Sequence, residues 1–135
     1  MKRLGLAGLL VLFFAAPASA WWSKGYLPAC DDSAVIDQIK IKFAYGDVHA
    51  FGWDVSIHKV TNTYERAPVV KARQSKIGRR YCQGIAWFSD GTRHEVVYLV
   101  ESGQGFAGMG FSVQSCLPGY DPWRTYDGWC TSIRP

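Results

Sequence analysis

Past an apolar opening, the hydrophobic positions follow two different periods. Val35, Ile36, Ile39 and Phe43 recur three and four apart, the spacing that lines one face of a helix. Asp32 or Ser33 can cap its start, and Gly46 is a stop signal. Asp31, Asp32 and Asp37 lie early and Lys40 and Lys42 late, which suits the helix dipole. The pattern predicts one helix over residues 33–45. From Trp53 the period becomes two, with Trp53, Val55 and Ile57 alternating against Asp54, Ser56 and His58, so a strand is predicted over 53–65. Residues 79–88 and 93–101 flank Asp90-Gly91, a strong hairpin signal, and a third run over 106–115 follows a turn around Ser102-Gly103. One N-terminal helix packed on an antiparallel sheet of about four strands is an α+β domain.

A two-residue loop at Asp90-Gly91 pairs Trp87 with His94, Ile85 with Val96 and Tyr81 with Val100. A turn centred between Gly103 and Gln104 then pairs Tyr98 with Met109. One face collects Tyr81, Ile85, Trp87, Val96, Tyr98, Val100, Met109, Phe111 and Val113, enough volume for the core under the helix. The other collects Cys82, Gly84, Ala86, Val97, Leu99, Gly108, Gly110 and Ser112, a smoother face. A slip of one residue exchanges the two.

The apolar opening is an address rather than a core element. Lys2 and Arg3 precede an apolar run over 4–16, Pro17 breaks it, and Ala18-Ser19-Ala20 provides small residues for cleavage. Residues 1–20 read as a signal peptide cleaved near Ala20-Trp21, and 21–135 as a single periplasmic or secreted domain without a transmembrane segment. Removing Lys2 and Arg3 lowers the formal charge from +4 to +2, and such mild basicity gives no reason to expect nucleic acid.

Cys30, Cys82, Cys116 and Cys130 all fall in the exported part, an even count that reads as two disulfides. Three pairings are possible. The topology brings the start of the helix toward the start of the second strand, and so Cys30 toward Cys82. It leaves Cys116–Cys130 to close a C-terminal loop over 116–130. Against this, Cys82 falls on the face away from the helix. Zinc is not expected, because there is no Cys-x-x-Cys and the three histidines are scattered; no metal or cofactor is predicted.

Chemistry adds little and surfaces add more. No nucleophile elbow, metalloprotease helix or phosphate loop is present, and His49, His58 and His94 are lone strand or loop histidines. Arg66, Lys71, Arg73, Lys76, Arg79 and Arg80 form a basic stretch without an acid, either a solvated loop or an anion contact led by Arg79 and Arg80. In the tail, Tyr120, Trp123, Tyr126 and Trp129 interleave with Asp121, Arg124 and Asp127. Aromatic faces beside charges can hold sugar rings or peptide side chains. The same aromatics can instead fold down and finish the core of a small domain. Trp21 and Trp22 pose a like question at the other end, core or contact with a membrane surface.

Arg79-Arg80-Tyr81-Cys82, Phe88-Ser89-Asp90-Gly91, Gly105-Phe106-Ala107-Gly108 with Phe111, and Tyr126-Asp127-Gly128-Trp129-Cys130 give the chain a resemblance to small exported proteins of alphaproteobacteria, rhizobia-like groups in particular. The resemblance spans nearly all of 21–135 and implies a periplasmic setting without implying an activity. The order of elements is also similar to that of cystatins, and Gln104-Gly105-Phe106-Ala107-Gly108 and Pro122-Trp123 look like the cystatin inhibitory hairpins. Here, however, the two motifs lie close together, Phe106 replaces the usual valine, and Pro122-Trp123 belongs to the tail.

The expected function is a non-catalytic periplasmic binding module contacting an envelope glycan, an anionic lipid or a protein. Tyr120, Asp121, Trp123, Arg124, Tyr126 and Asp127 are the candidate ligand residues. The alternative is a structural or stress-related envelope protein whose tail only completes the fold. A small enzyme or a protease inhibitor is the remote alternative.

Overall fold

The computed structural model describes residues 26–67 and 77–134. The signal segment, Trp21, Trp22 and the basic residues Lys71, Arg73 and Lys76 lie outside the described residues. Asp32 caps the helix α1 (Ser33–Gly46) by accepting from the Ala34 N–H at 2.9 Å. Val35 and Ile39 are fully buried, and Ile36 and Phe43 pack beside them, the face that the spacing predicts. The chain does not stop at Gly46. A π-helical turn, Asp47–Phe51, prolongs the helix until Gly52, whose N–H closes on the Asp47 carbonyl at 2.7 Å. That turn brings Phe51 against Trp53, with ring centroids 4.4 Å apart and nearly parallel planes.

Four strands follow: β1 (Ile57–Ala67), β2 (Arg79–Phe88), β3 (Arg93–Ser102) and β4 (Phe111–Cys116). They form an antiparallel meander in the order β1-β2-β3-β4, with α1 laid on one face. The fold is α+β and disulfide-stapled, as the sequence predicts.

The register corrects the sequence reading by one residue. Trp87 pairs with Arg93 and Ala86 with His94. The cause is the loop, which has three residues rather than two. Phe88 N–H bonds the Thr92 carbonyl, and Ser89, Asp90 and Gly91 form the turn, with Gly91 at φ +84°. The Asp90 carboxylate accepts from Thr92 N–H at 2.8 Å and Thr92 Oγ1 at 2.6 Å, which holds its acid below the usual range.

The slip turns β2 over relative to β3. Cys82 now stands opposite Tyr98 and Gly84 opposite Val96, so the small residues of β2 face the helix together with Val96, Tyr98 and Val100. Tyr81, Ile85 and Trp87 go to the outer face. Met109 leaves the sheet altogether, because the second connection is a long loop over 103–110 rather than a tight turn.

The same slip removes the objection to the disulfide pairing. With Cys82 under the helix, Cys30–Cys82 closes beside the helix start, and Cys116–Cys130 closes the tail. Tyr98, fully buried, donates from its hydroxyl to the Cys30 carbonyl at 2.7 Å.

The tail wraps the β4 edge. Leu117 and Tyr120 join the helix-side core, while Cys130 and Ile133 are buried on the outer face with Val97 and Leu99, where Tyr126 packs against them.

Candidate functional site

The site is built where the helix end, the π turn and the tail meet. Phe43, on the inner face of α1, touches Phe88 (5.2 Å between centroids) and Trp53 (6.0 Å). Tyr120 enters edge-on against Trp53 at 5.0 Å, Phe88 at 5.1 Å and His94 at 4.9 Å. Edge-to-face packing of this kind fixes ring orientation beyond simple burial. Between these rings and the loop after Tyr120 lies a half-open cleft of about 210 Å³. Its walls are mainly Phe51, Trp53, Tyr120 and Tyr126, with Lys42, Ser115, Asp121 and Thr125 as polar members.

Asp121 and Lys42 are held in place by the protein itself. Asp121 accepts from Thr125 N–H at 3.0 Å and Tyr126 N–H at 3.1 Å, so its carboxylate organises the loop. Two oxygens offer about four lone-pair sites, which leaves capacity for a ligand hydroxyl. Lys42 donates to the Val113 carbonyl on β4, and desolvation holds its amine below the usual lysine range. Tyr126 is pushed up by burial first and by the Asp121 charge second.

The six candidate residues of the tail divide. Tyr120, Asp121 and Tyr126 line the cleft. Trp123 stands on its rim, 75% exposed, with its ring perpendicular to Phe51 at 6.2 Å. Arg124 and Asp127 turn away into a separate shallow hollow beside Trp129, which is 77% exposed. The tail therefore does both things that the sequence allows. Tyr120, Tyr126, Cys130 and Ile133 are packed down, and Trp123 and Trp129 are left in water.

The structure does not bring Arg79 and Arg80 together on one face. Successive strand residues project to opposite faces. Arg79 bonds Glu101 at 2.8 Å and Arg80 bonds Glu65 at 3.0 Å. Glu101, 8% exposed, also accepts from Gln114 at 2.9 Å, so its charge is compensated where it is buried. Arg66 donates to Gln83.

Lys42, Phe51, Trp53, Ser115 and Thr125 line the cleft without being among the candidates that the sequence offers. The signal available was Phe51-Gly52-Trp53, an aromatic pair around a glycine directly after a helix.

The histidines stand apart from one another. His49 stacks on Tyr45 and is bonded to that residue's carbonyl, His94 lies against Phe88 and Tyr120 with Nε2 3.0 Å from Thr92 Oγ1, and His58 is exposed. Among the described residues, no group of three or more His, Cys, Asp or Glu could hold a metal ion. No helix among them is long and apolar enough to cross a membrane. All four cysteines are bridged, which is compatible with an oxidising compartment. No protein-family model, curated protein or solved structure matches the chain, so its function is read from the geometry of the site.

Proposed function

We propose that the chain is a non-catalytic binding module of the bacterial envelope that holds one sugar ring of an envelope glycan in the aromatic cleft. The observation that carries this reading is the cleft rim. Trp123 keeps 75% of its surface in water while the rings beside it are packed into fixed positions. An aromatic face so placed can cover the apolar C–H face of a sugar. Asp121, Thr125 and Ser115 then stand close to its hydroxyls. Size favours a single ring, because about 210 Å³ is below the roughly 300–1,000 Å³ of pockets for drug-sized ligands. The resemblance to small exported proteins and the two disulfides support the envelope as the setting.

Co-sedimentation with insoluble peptidoglycan, and titration with its soluble oligosaccharides and with lipopolysaccharide, test the proposal. Binding to one of these glycans is expected to protect Trp123 from acrylamide. Trp123→Ala is expected to weaken it at least tenfold while shifting stability by no more than about 0.5 kcal/mol, as exposed substitutions do. Full binding by Trp123→Ala, or no binding to any of these glycans, would instead make the tail a purely structural closure.

A further inference from the structure

On the sheet face turned away from the helix, three cations have no carboxylate partner among the described residues. The register puts Lys59, Trp87 and Arg93 in one row across β1, β2 and β3. Lys59 Nζ lies 4.7 Å and the Arg93 guanidinium carbon 5.0 Å from the Trp87 ring centroid, both within cation–π range. The ring is itself fixed, since Nε1 donates to Thr61 Oγ1 at 2.8 Å. Arg66 stands farther along β1, donating to Gln83 Oε1 at 2.7 Å. On a regular strand Lys59 and Arg66, an odd number of residues apart, would face opposite ways. The irregularities of β1 at Thr61/Tyr64 and Glu65/Ala67, with Asn62 at φ +52°, re-aim Arg66 toward the Gln83 side.

The carboxylates of β1, β2 and β3 are already taken. Glu65 pairs with Arg80 at 3.0 Å, Glu95 with Arg134 at 2.6 Å and Glu101 with Arg79 at 2.8 Å. The face therefore carries uncompensated positive charge, and its geometry limits what can neutralise it. Trp87 and Gln83 are separated along β2 by roughly 13 Å at ~3.3 Å per residue. One phosphate or carboxylate cannot bridge that gap, whereas successive charges on a polymer can. A bilayer would find no anchor, because Tyr64 is the one strongly exposed large apolar side chain on these three strands. Lys59 and Arg93 already occupy the surroundings of Trp87, which leaves its ring poorly placed to stack a nucleobase.

We propose that this face is a docking track for an acidic polysaccharide, whose carboxylate or sulfate groups meet the Lys59–Arg93 row and Arg66 in turn. The inference is independent of the aromatic cleft, which lies between the helix side and the β4 edge, away from the Lys59–Trp87–Arg93 row. The test is binding of the full chain to polygalacturonate and to dextran sulfate. Neutral dextran, a single-stranded oligonucleotide and phosphatidylglycerol vesicles serve as the other arms.

Binding to one or both acidic polymers is expected, weakening as salt rises. The K59M/R93M double variant keeps aliphatic stems over Trp87 and is expected to lose at least tenfold in affinity, with Arg66→Ala adding a severalfold loss. Lys40→Ala with Arg124→Ala removes the same charge elsewhere and should bind nearly as the parent does. Trp123→Ala should leave polymer binding unchanged, which separates this proposal from the cleft. Undiminished binding by K59M/R93M overturns it, as does an equal loss in the control double variant. Tighter binding to the vesicles or the oligonucleotide than to both polymers overturns the choice of a polysaccharide.

Discussion

Tyr98 shows how a single side chain ties the helix to the sheet. Its ring is fully buried in the helix-side core, and its hydroxyl donates to the Cys30 carbonyl at 2.7 Å, beside one disulfide. Burial, and secondarily the charge of Asp31, pushes its acid far above the ordinary tyrosine value of 10.0. Between that value and the folded one, the unfolded chain has lost the proton and the folded chain still holds it. The native state thus binds more protons there, and stability falls as pH rises through 10 and beyond. Urea midpoints measured upward from pH 9 should decline in the parent, and Tyr98→Phe should flatten part of that decline while lowering stability at neutral pH. An unaltered alkaline slope in the variant would show that Tyr98 is not its source. Asp121 teaches a related lesson at this scale. The sequence offers it as a ligand carboxylate, yet two backbone N–H groups of its own loop claim it, a use that local composition does not reveal.

The legible elements are those whose signal is local. Apolar spacing and the Asp32 cap place α1 almost to the residue, because both act within one or two turns. Alternation and turn residues place four strands in order. Features with no such local code are not legible, the long loop over 103–110 among them. The π turn over Asp47–Phe51 forms where the helix must deliver Phe51 and Trp53 to the tail, and nothing in the pattern before Gly46 announces it. The hairpin loop is one residue longer than Asp90-Gly91 implies, and because strand side chains alternate with a period of two, that one residue exchanges the faces of β2. The three-residue loop needs its last position in the left-handed region, where Gly91 has φ +84°. Gly91→Ala is expected to cost about 1–2 kcal/mol in urea unfolding, with Gly91→Asn costing less, since Asn tolerates this conformation. Equal stability of the Ala variant would mean that the loop can re-form in the two-residue register.

At the scale of the molecule, the tail contributes to both faces of the sheet. Tyr120 closes the cleft on the helix side, whereas Ile133 seals the outer face and Arg134 bonds Glu95 at 2.6 Å. Cys116–Cys130 holds this strap with a sequence separation of 14, and Cys30–Cys82 spans 52. In the chain-entropy account the shorter loop contributes about 3 kcal/mol and the longer about 4 kcal/mol. The two bridges should nevertheless differ more in function than in stability. Replacing Cys116 and Cys130 with Ser frees the strap, so Tyr120 leaves the cleft and Glu95 loses Arg134, placing an unpaired carboxylate among the cations of the outer face. Glycan binding at the cleft and polymer binding at the outer face should then weaken together. Replacing Cys30 and Cys82 with Ser should lower the urea midpoint by at least as much. Both affinities should survive at temperatures where that variant remains folded, because neither surface touches the bridge. Parent-like binding by the Cys116/Cys130 variant at both surfaces would show that the strap stays docked without its disulfide, held by Leu117, Tyr126 and Ile133 alone.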